Sequence, residues 1–153
     1  MKKKIFEELS RDYQKICRGN AKKITNELIE SLPPKPGVYI FYSKIKKKVK
    51  YVGRANNLKK RIKSHLSKSK KSSSSSFRRK ISMKKKKVVY EKTKQYMEKN
   101  LLLYYLEFDK KYPYVYDYTL LLEAFLIRQW RSMKKHNKLL NCYINLRYKN
   151  GEK

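Results

Sequence analysis

The sequence predicts an α+β fold, and three observations predict it. Apolar residues before Leu32 recur at helical spacing. Two short β-branched and aromatic runs, over 38–42 and 49–52, flank a lysine-rich stretch of hairpin length. The remainder mixes helical patterns with a further apolar run over 101–108, so strands and helices are segregated rather than alternating regularly.

Ile5, Phe6, Leu9, Tyr13 and Ile16 fit one amphipathic helix. Ile24, Leu28 and Ile29 fit a second, with Asn20 as its candidate cap. Pro33-Pro34-Lys35-Pro36-Gly37 ends this helical extension, because proline cannot continue a helix and restrains the residue before it. The hairpin follows. If its loop holds an odd number of residues, Tyr39 and Tyr51 share a sheet face; an even loop separates them.

Asn57 is a candidate cap for a helix through Leu66 that buries Leu58, Ile62 and Leu66 and sets Arg61 and His65 one turn apart. Residues 67–76 are lysine and serine only, a low-complexity composition expected to be flexible. A short basic helix is expected over 77–83, a strand over 88–90, and a helix from Thr93 to Lys99. After a strand over 101–108 and a turn over 109–117, Thr119 is expected to open the strongest helix. That helix carries Leu122, Phe125, Leu126, Ile127, Trp130 and Met133 at helical spacing. The expected organisation is one domain over 1–153: a helical extension (1–32) and a core (33–148) with a flexible Lys/Ser-rich insertion over about 67–87.

Composition narrows the partner. The 153 residues suit one domain, and 40% apolar content can fill its core. Mean hydropathy is low, at −0.89, but 14 tyrosines and five phenylalanines are too many for an unfolded polar chain. The formal charge is +30, from 42 Lys+Arg against 12 Asp+Glu. Between Glu30 and Glu91 lie 60 residues without one acid, and they hold 21 of those basic residues. Such a surface binds a polyanion with steep salt dependence. Heat adaptation would enrich glutamate alongside lysine, and glutamate is scarce here. A lipid-binding surface would need a long apolar face beside the lysines, and none accompanies them. No run approaches the roughly 18 apolar residues of a membrane span, and Glu7, Glu8 and Asp12 interrupt anything like an export signal. A cytoplasmic protein without a membrane role is expected. Cys17 and Cys142 lack partners at metal spacing and read as buried or inert thiols.

Glu123 is the only acid between Asp117 and Glu152, and it sits among Leu120, Leu121, Leu122, Ala124 and Phe125. A carboxylate in so apolar a run needs a partner. An ion pair with a basic side chain would serve, and so would Mg²⁺, which prefers oxygen ligands.

Gly37-Val38-Tyr39, Tyr51-Val52-Gly53, Arg61 in Leu58-Lys59-Lys60-Arg61-Ile62, Glu123, and Asn141 in Leu139-Leu140-Asn141 form an ordered, spaced set. In this set the chain resembles the GIY-YIG nuclease family, with valine for isoleucine in both tripeptides. The stretch 35–66 is especially similar to the N-terminal nuclease domain of the bacterial excision-repair incision subunit. The resemblance covers roughly 33–66 and 119–145.

That resemblance implies a small domain with a mainly antiparallel three-stranded sheet flanked by helices. It also implies an endonuclease that hydrolyses DNA phosphodiester bonds with Mg²⁺ or Mn²⁺ on Glu123. The implied catalytic set is Tyr39, Tyr51, Arg61, His65, Glu123 and Asn141, with one tyrosine helping to deprotonate the attacking water and the other orienting the phosphate or water. Tyr39 is the favoured base. A phenol with a pKa near 10 needs nearby cations to favour phenolate, and Arg61, Arg54 and the metal are the candidates. Arg61 offers a fork of donors to a phosphate, and Arg54, Lys59, Lys60, Lys63, Arg78 and Arg79 are expected to bind nucleic acid. His65 could relay a proton or be an inconsequential surface residue. The expected partner is duplex or branched DNA, with RNA also open. The alternative function is a basic DNA- or RNA-binding protein that keeps the fold without cutting.

Overall fold

The computed structural model describes residues 2–67, Phe77 and 90–132. Its elements are α1 (Lys2–Arg18), β1 (Lys22–Lys23), α2 (Asn26–Ser31), β2 (Gly37–Ser43), β3 (Lys48–Ala55), α3 (Leu58–Leu66), α4 (Tyr90–Asn100), β4 (Leu101–Glu107) and α5 (Val115–Ser132). The strands form one antiparallel sheet in the order β1-β4-β2-β3. The fold is α+β as expected, but among the described residues the sheet has four strands rather than three. The added strand is the lysine pair Lys22–Lys23 at the β4 edge, which carries no apolar alternation to announce it.

Alternation along the strands gives the sheet two apolar faces. Tyr39, Phe41, Tyr51, Ala55, Leu101 and Leu103 point to one, where α2, α3 and α4 pack through Ile29, Leu58, Ile62 and Met97. Val38, Ile40, Val49 and Val52 point to the other, beneath α1 and α5 with Ile16, Leu122, Leu126 and Ile127.

Ser43 pairs with Lys48, which leaves residues 44–47 as an even, four-residue loop. By alternation alone Tyr39 and Tyr51 would face opposite ways. They do not, because β3 carries a bulge: Phe41 pairs with Tyr51 but Tyr42 with Val49, making Lys50 an extra residue. One extra residue reverses parity, which puts both tyrosines on the α3 side.

The proline segment fixes α3. The amides of Leu58 and Lys59 donate to the carbonyls of Lys35 (3.0 Å) and Pro33 (3.4 Å), and the Lys60 amide donates to Asn57 Oδ1 (2.9 Å). The first free amides of the helix are thus satisfied. Gly37 allows the approach, since a Cβ there would strike the Leu106 carbonyl and come within 2.6 Å of Leu58 Cδ1.

The other boundaries correct the sequence reading. The cap of α2 is Thr25, whose hydroxyl accepts from the Leu28 amide (3.1 Å), not Asn20. Tyr90, expected to end a strand, is the first residue of α4, and Thr93 lies buried inside that helix rather than capping it. Lys44 meets the other end of α4, its amide and ammonium donating to the carbonyls of Asn100 and Lys99 (3.0 Å each). Helix α5 opens at Val115, four residues before Thr119. Cys17 is exposed rather than buried. Residues 78–83, Met133, Asn141 and Cys142 lie outside the described residues.

The helical extension is docked against the core. Asp12, 5% exposed, accepts from the Tyr118 hydroxyl (2.6 Å) and pairs with Lys15 (3.1 Å). Phe6 and Tyr13 set their rings edge-on to Phe125.

Candidate active site

A cavity of about 750 Å³ lies between the N-terminal part of α3, the end of β3 and one face of α5. Its walls include Tyr51, Arg54, Lys60, Arg61 and Glu123. β3 supplies Tyr51 and Arg54, α3 supplies Lys60 and Arg61, and α5 brings Glu123 from about 60 residues further along the chain.

Behind Tyr51 lies a buried polar cluster. Tyr39 is fully buried and does not reach the cavity. Its hydroxyl is 2.5 Å from His65 Nε2, and Arg61 Nε donates to it at 3.3 Å. With Nε2 unprotonated, the phenol is the donor to His65. Tyr51 also hydrogen-bonds Tyr39, and the two rings lie 6.0 Å apart. His65 is itself fully buried among Tyr39, Phe41, Tyr51 and Phe77, so the surface reading of this histidine is wrong. Gly53 stands opposite Tyr39 in the ladder, and a Cβ there would strike the Tyr39 hydroxyl and come within 2.7 Å of Tyr51 Cε1. The glycine of the second tripeptide leaves room for the tyrosine of the first.

Burial pushes the Tyr39 phenol well above its ordinary range, Tyr51 beside it adds to the rise, and Arg61 opposes it. Tyr51 is also raised by burial against the pull of Arg61. The expected pull of a neighbouring cation toward phenolate is present in Arg61, but burial is the larger effect. Burial works against the Arg61 charge too, but the two tyrosines more than offset it.

The partner of Glu123 is Arg54, whose Nε lies 3.5 Å from Oε2. Burial raises the Glu123 carboxyl above its usual range; Arg54, and more weakly Arg61, pull it back. The apolar surroundings expected for Glu123 are only half present, since Leu120 and Leu121 are exposed. Among the described residues no three His, Cys, Asp or Glu side chains cluster as a metal site. One carboxylate on a cavity roomy enough for an ion and its waters still suits Mg²⁺, which keeps several waters and is often held by one or two carboxylates.

The expected phosphate contacts divide. Arg54 and Lys60 line the cavity. Lys59 and Lys63 instead hold Glu30, at 3.0 and 2.6 Å, and these contacts keep its carboxyl below the usual range. Arg78 and Arg79 lie outside the described residues. Sequence reasoning missed the lining residues Asn56, Ser64 and Leu120. It also missed Phe77, which stacks on Phe41 at 5.0 Å with no exposure. An isolated aromatic in a Lys/Ser-rich stretch was the available signal for Phe77.

Residues 35–137 match the family model for the GIY-YIG catalytic domain. The chain belongs to the GIY-YIG family. Curated relatives include the UvrABC system protein C of Mycoplasma mycoides, 38% identical over 95 residues, and that of Mesoplasma florum, 37% identical over 95. Each match covers 57% of this chain and 16% of the relative. A third, from Citrifermentans bemidjiense, is 47% identical over 49 residues, 32% of this chain and 8% of that protein. The match thus spans about a sixth of the length of the first two relatives, which supports the GIY-YIG assignment while leaving most of their length unmatched. No solved structure matches the chain. No helix among the described residues is long and apolar enough to cross a membrane.

Proposed function

We propose that this GIY-YIG domain is a metal-dependent endonuclease that hydrolyses DNA phosphodiester bonds. The observation that carries this reading is the convergence of Tyr51, Arg61 and Glu123 on one basic cavity, with the Tyr39–His65 pair directly behind Tyr51. The charge of +30 supplies the affinity for a DNA backbone.

In this reading Arg61 and Arg54 hold the scissile phosphate and stabilise the charge that grows on it. Glu123 would hold Mg²⁺ or Mn²⁺, with Asn141 as a candidate orienting group beyond the described residues. When bound, the ion would supply Lewis-acid stabilisation at the phosphate and the leaving oxygen. Water attacks phosphorus in line, a P–O bond forms, and the P–O bond to the leaving oxygen breaks. Tyr51, not Tyr39, faces the attacking water, because only Tyr51 reaches the cavity. The raised phenols suit a relay rather than a standing phenolate. The proton from water passes to Tyr51, whose own proton moves on to the buried Tyr39–His65 pair and leaves the added proton on His65 Nε2. The cytoplasm suits such a DNA-acting protein.

Supercoiled plasmid incubated with the protein and Mg²⁺ should be nicked, and EDTA should stop it. Salt-sensitive binding with no nicking of duplex, branched or single-stranded DNA would give the chain the non-catalytic role instead.

A further inference from the structure

The surface beside the cavity differs from the rest of the molecule. Residues 115–127 contain no Lys or Arg, in a chain where 42 of 153 residues are basic. Within that run Tyr116 and Leu120 are 49% and 46% exposed. Tyr116, Leu120 and Glu123 are spaced four and three apart, so they stand on one face of α5. Tyr118, Leu122 and Leu126 occupy the buried face against α1 and the sheet. Leu120 lines the cavity next to Glu123, which makes the apolar stripe continuous with the site. Tyr114, at φ 56° just before the helix, adds a ring that is 81% exposed.

We propose that Tyr116 and Leu120 form a stacking surface for unpaired bases, making DNA with unpaired or splayed nucleotides at the cut the preferred substrate class. This rests on the nuclease reading of the adjoining cavity. A phosphate there lies against Arg54, Lys60 and Arg61, and its sugar and base must extend outward. Helical rise puts Leu120 about 4.5 Å and Tyr116 about 10 Å along the axis from Glu123, the reach of one or two nucleotides. Asp117 in the first turn of α5, with no basic neighbour in the run, disfavours phosphate on the stripe. Phosphates are thereby sorted into the cavity and bases onto the stripe. Base pairs in a continuous duplex hide their faces in the stack, whereas an unpaired base offers one to Tyr116. A second copy of the chain is a poor occupant, because each copy carries +30.

The test is equilibrium binding in EDTA, so that cutting does not enter. One probe is a duplex with a central four-nucleotide bubble containing 2-aminopurine, and the other is the same sequence fully paired. The native protein should prefer the bubble by on the order of tenfold and quench the 2-aminopurine by stacking. Tyr116→Ala should bring that ratio close to one and restore the fluorescence, while Tyr116→Phe should keep both. No preference in the native protein, or a preference that Tyr116→Ala leaves in place, would overturn the proposal. So would native self-association in sedimentation that Tyr116→Ala abolishes while the ratio stands. Preference without any plasmid nicking in Mg²⁺ would keep the stacking surface and remove the nuclease reading alone.

Discussion

Tyr39 and His65, 26 residues apart, meet through a buried 2.5 Å contact between the phenol oxygen and Nε2. One comes from the first tripeptide strand and the other from α3, so this bond fastens the helix that carries Arg61 to the strand behind Tyr51. Tyr39→Phe keeps the ring and removes the oxygen that Nε2 and Arg61 Nε both meet. A buried polar group losing its partner costs about 1–3 kcal/mol, which should lower the urea midpoint. Cleavage should fall as well, because the relay loses its middle hydroxyl.

Gly53→Ala should be more damaging than a glycine-to-alanine change within a strand usually is. The new methyl has no free direction: it meets Tyr39 and Tyr51 together. Overpacking of this kind costs about 1–3 kcal/mol. Thermal unfolding checks the loss, and the plasmid assay should show reduced nicking at a temperature where the variant is still folded.

Glu123 makes a pH prediction with a defined sign. Its folded carboxyl is raised above its ordinary value of 4.5, chiefly by burial. The folded state therefore holds that proton more tightly than the unfolded chain does. The resulting stability is fully present below the unfolded value and is lost as pH rises through the raised one. Without metal, Glu123→Gln should remove this loss. The difference in Tm between variant and native should move in favour of the variant on going from pH 4 to pH 7.

The lysines of α3 should separate by salt dependence. Lys60→Ala should reduce the slope of log Kd against log salt by about one phosphate contact. Lys59→Ala and Lys63→Ala should change it less, since both ammonium groups already hold Glu30.

The docking of α1 rests on a buried pair that Tyr118→Phe would break. The Asp12 carboxylate would lose its 2.6 Å donor while keeping Lys15. The expected cost is about 1–3 kcal/mol, visible in denaturant unfolding.

The two tripeptides, the Asn57 cap and the core positions of α3 and α5 were legible in the sequence because each follows a short-range rule of alternation, capping or helical spacing. The shared face of Tyr39 and Tyr51 was legible only as a condition. Its answer depended on a bulge at Lys50, and a lysine in a lysine-rich hairpin does not mark itself as the extra residue. The starts of α2 and α5 were misplaced because several polar residues compete to cap each helix and tertiary packing chooses among them. The Glu123 partner was narrowed to a metal or a basic residue, but the sequence could not single out Arg54, 69 residues away. The burial of His65 and Phe77 depends on their meeting each other and on Tyr39, Phe41 and Tyr51, from two strands, closing around the pair.

The most direct measurement is the single-turnover rate of plasmid nicking in Mg²⁺ for native protein, Arg61→Ala and Glu123→Ala, each at saturating protein. Both variants remove charge stabilisation in the transition state, so each should be slower by roughly 10²-fold or more while still binding DNA. Equal nicking by all three, or none by the native protein, would contradict the assignment of this cavity as a nuclease site.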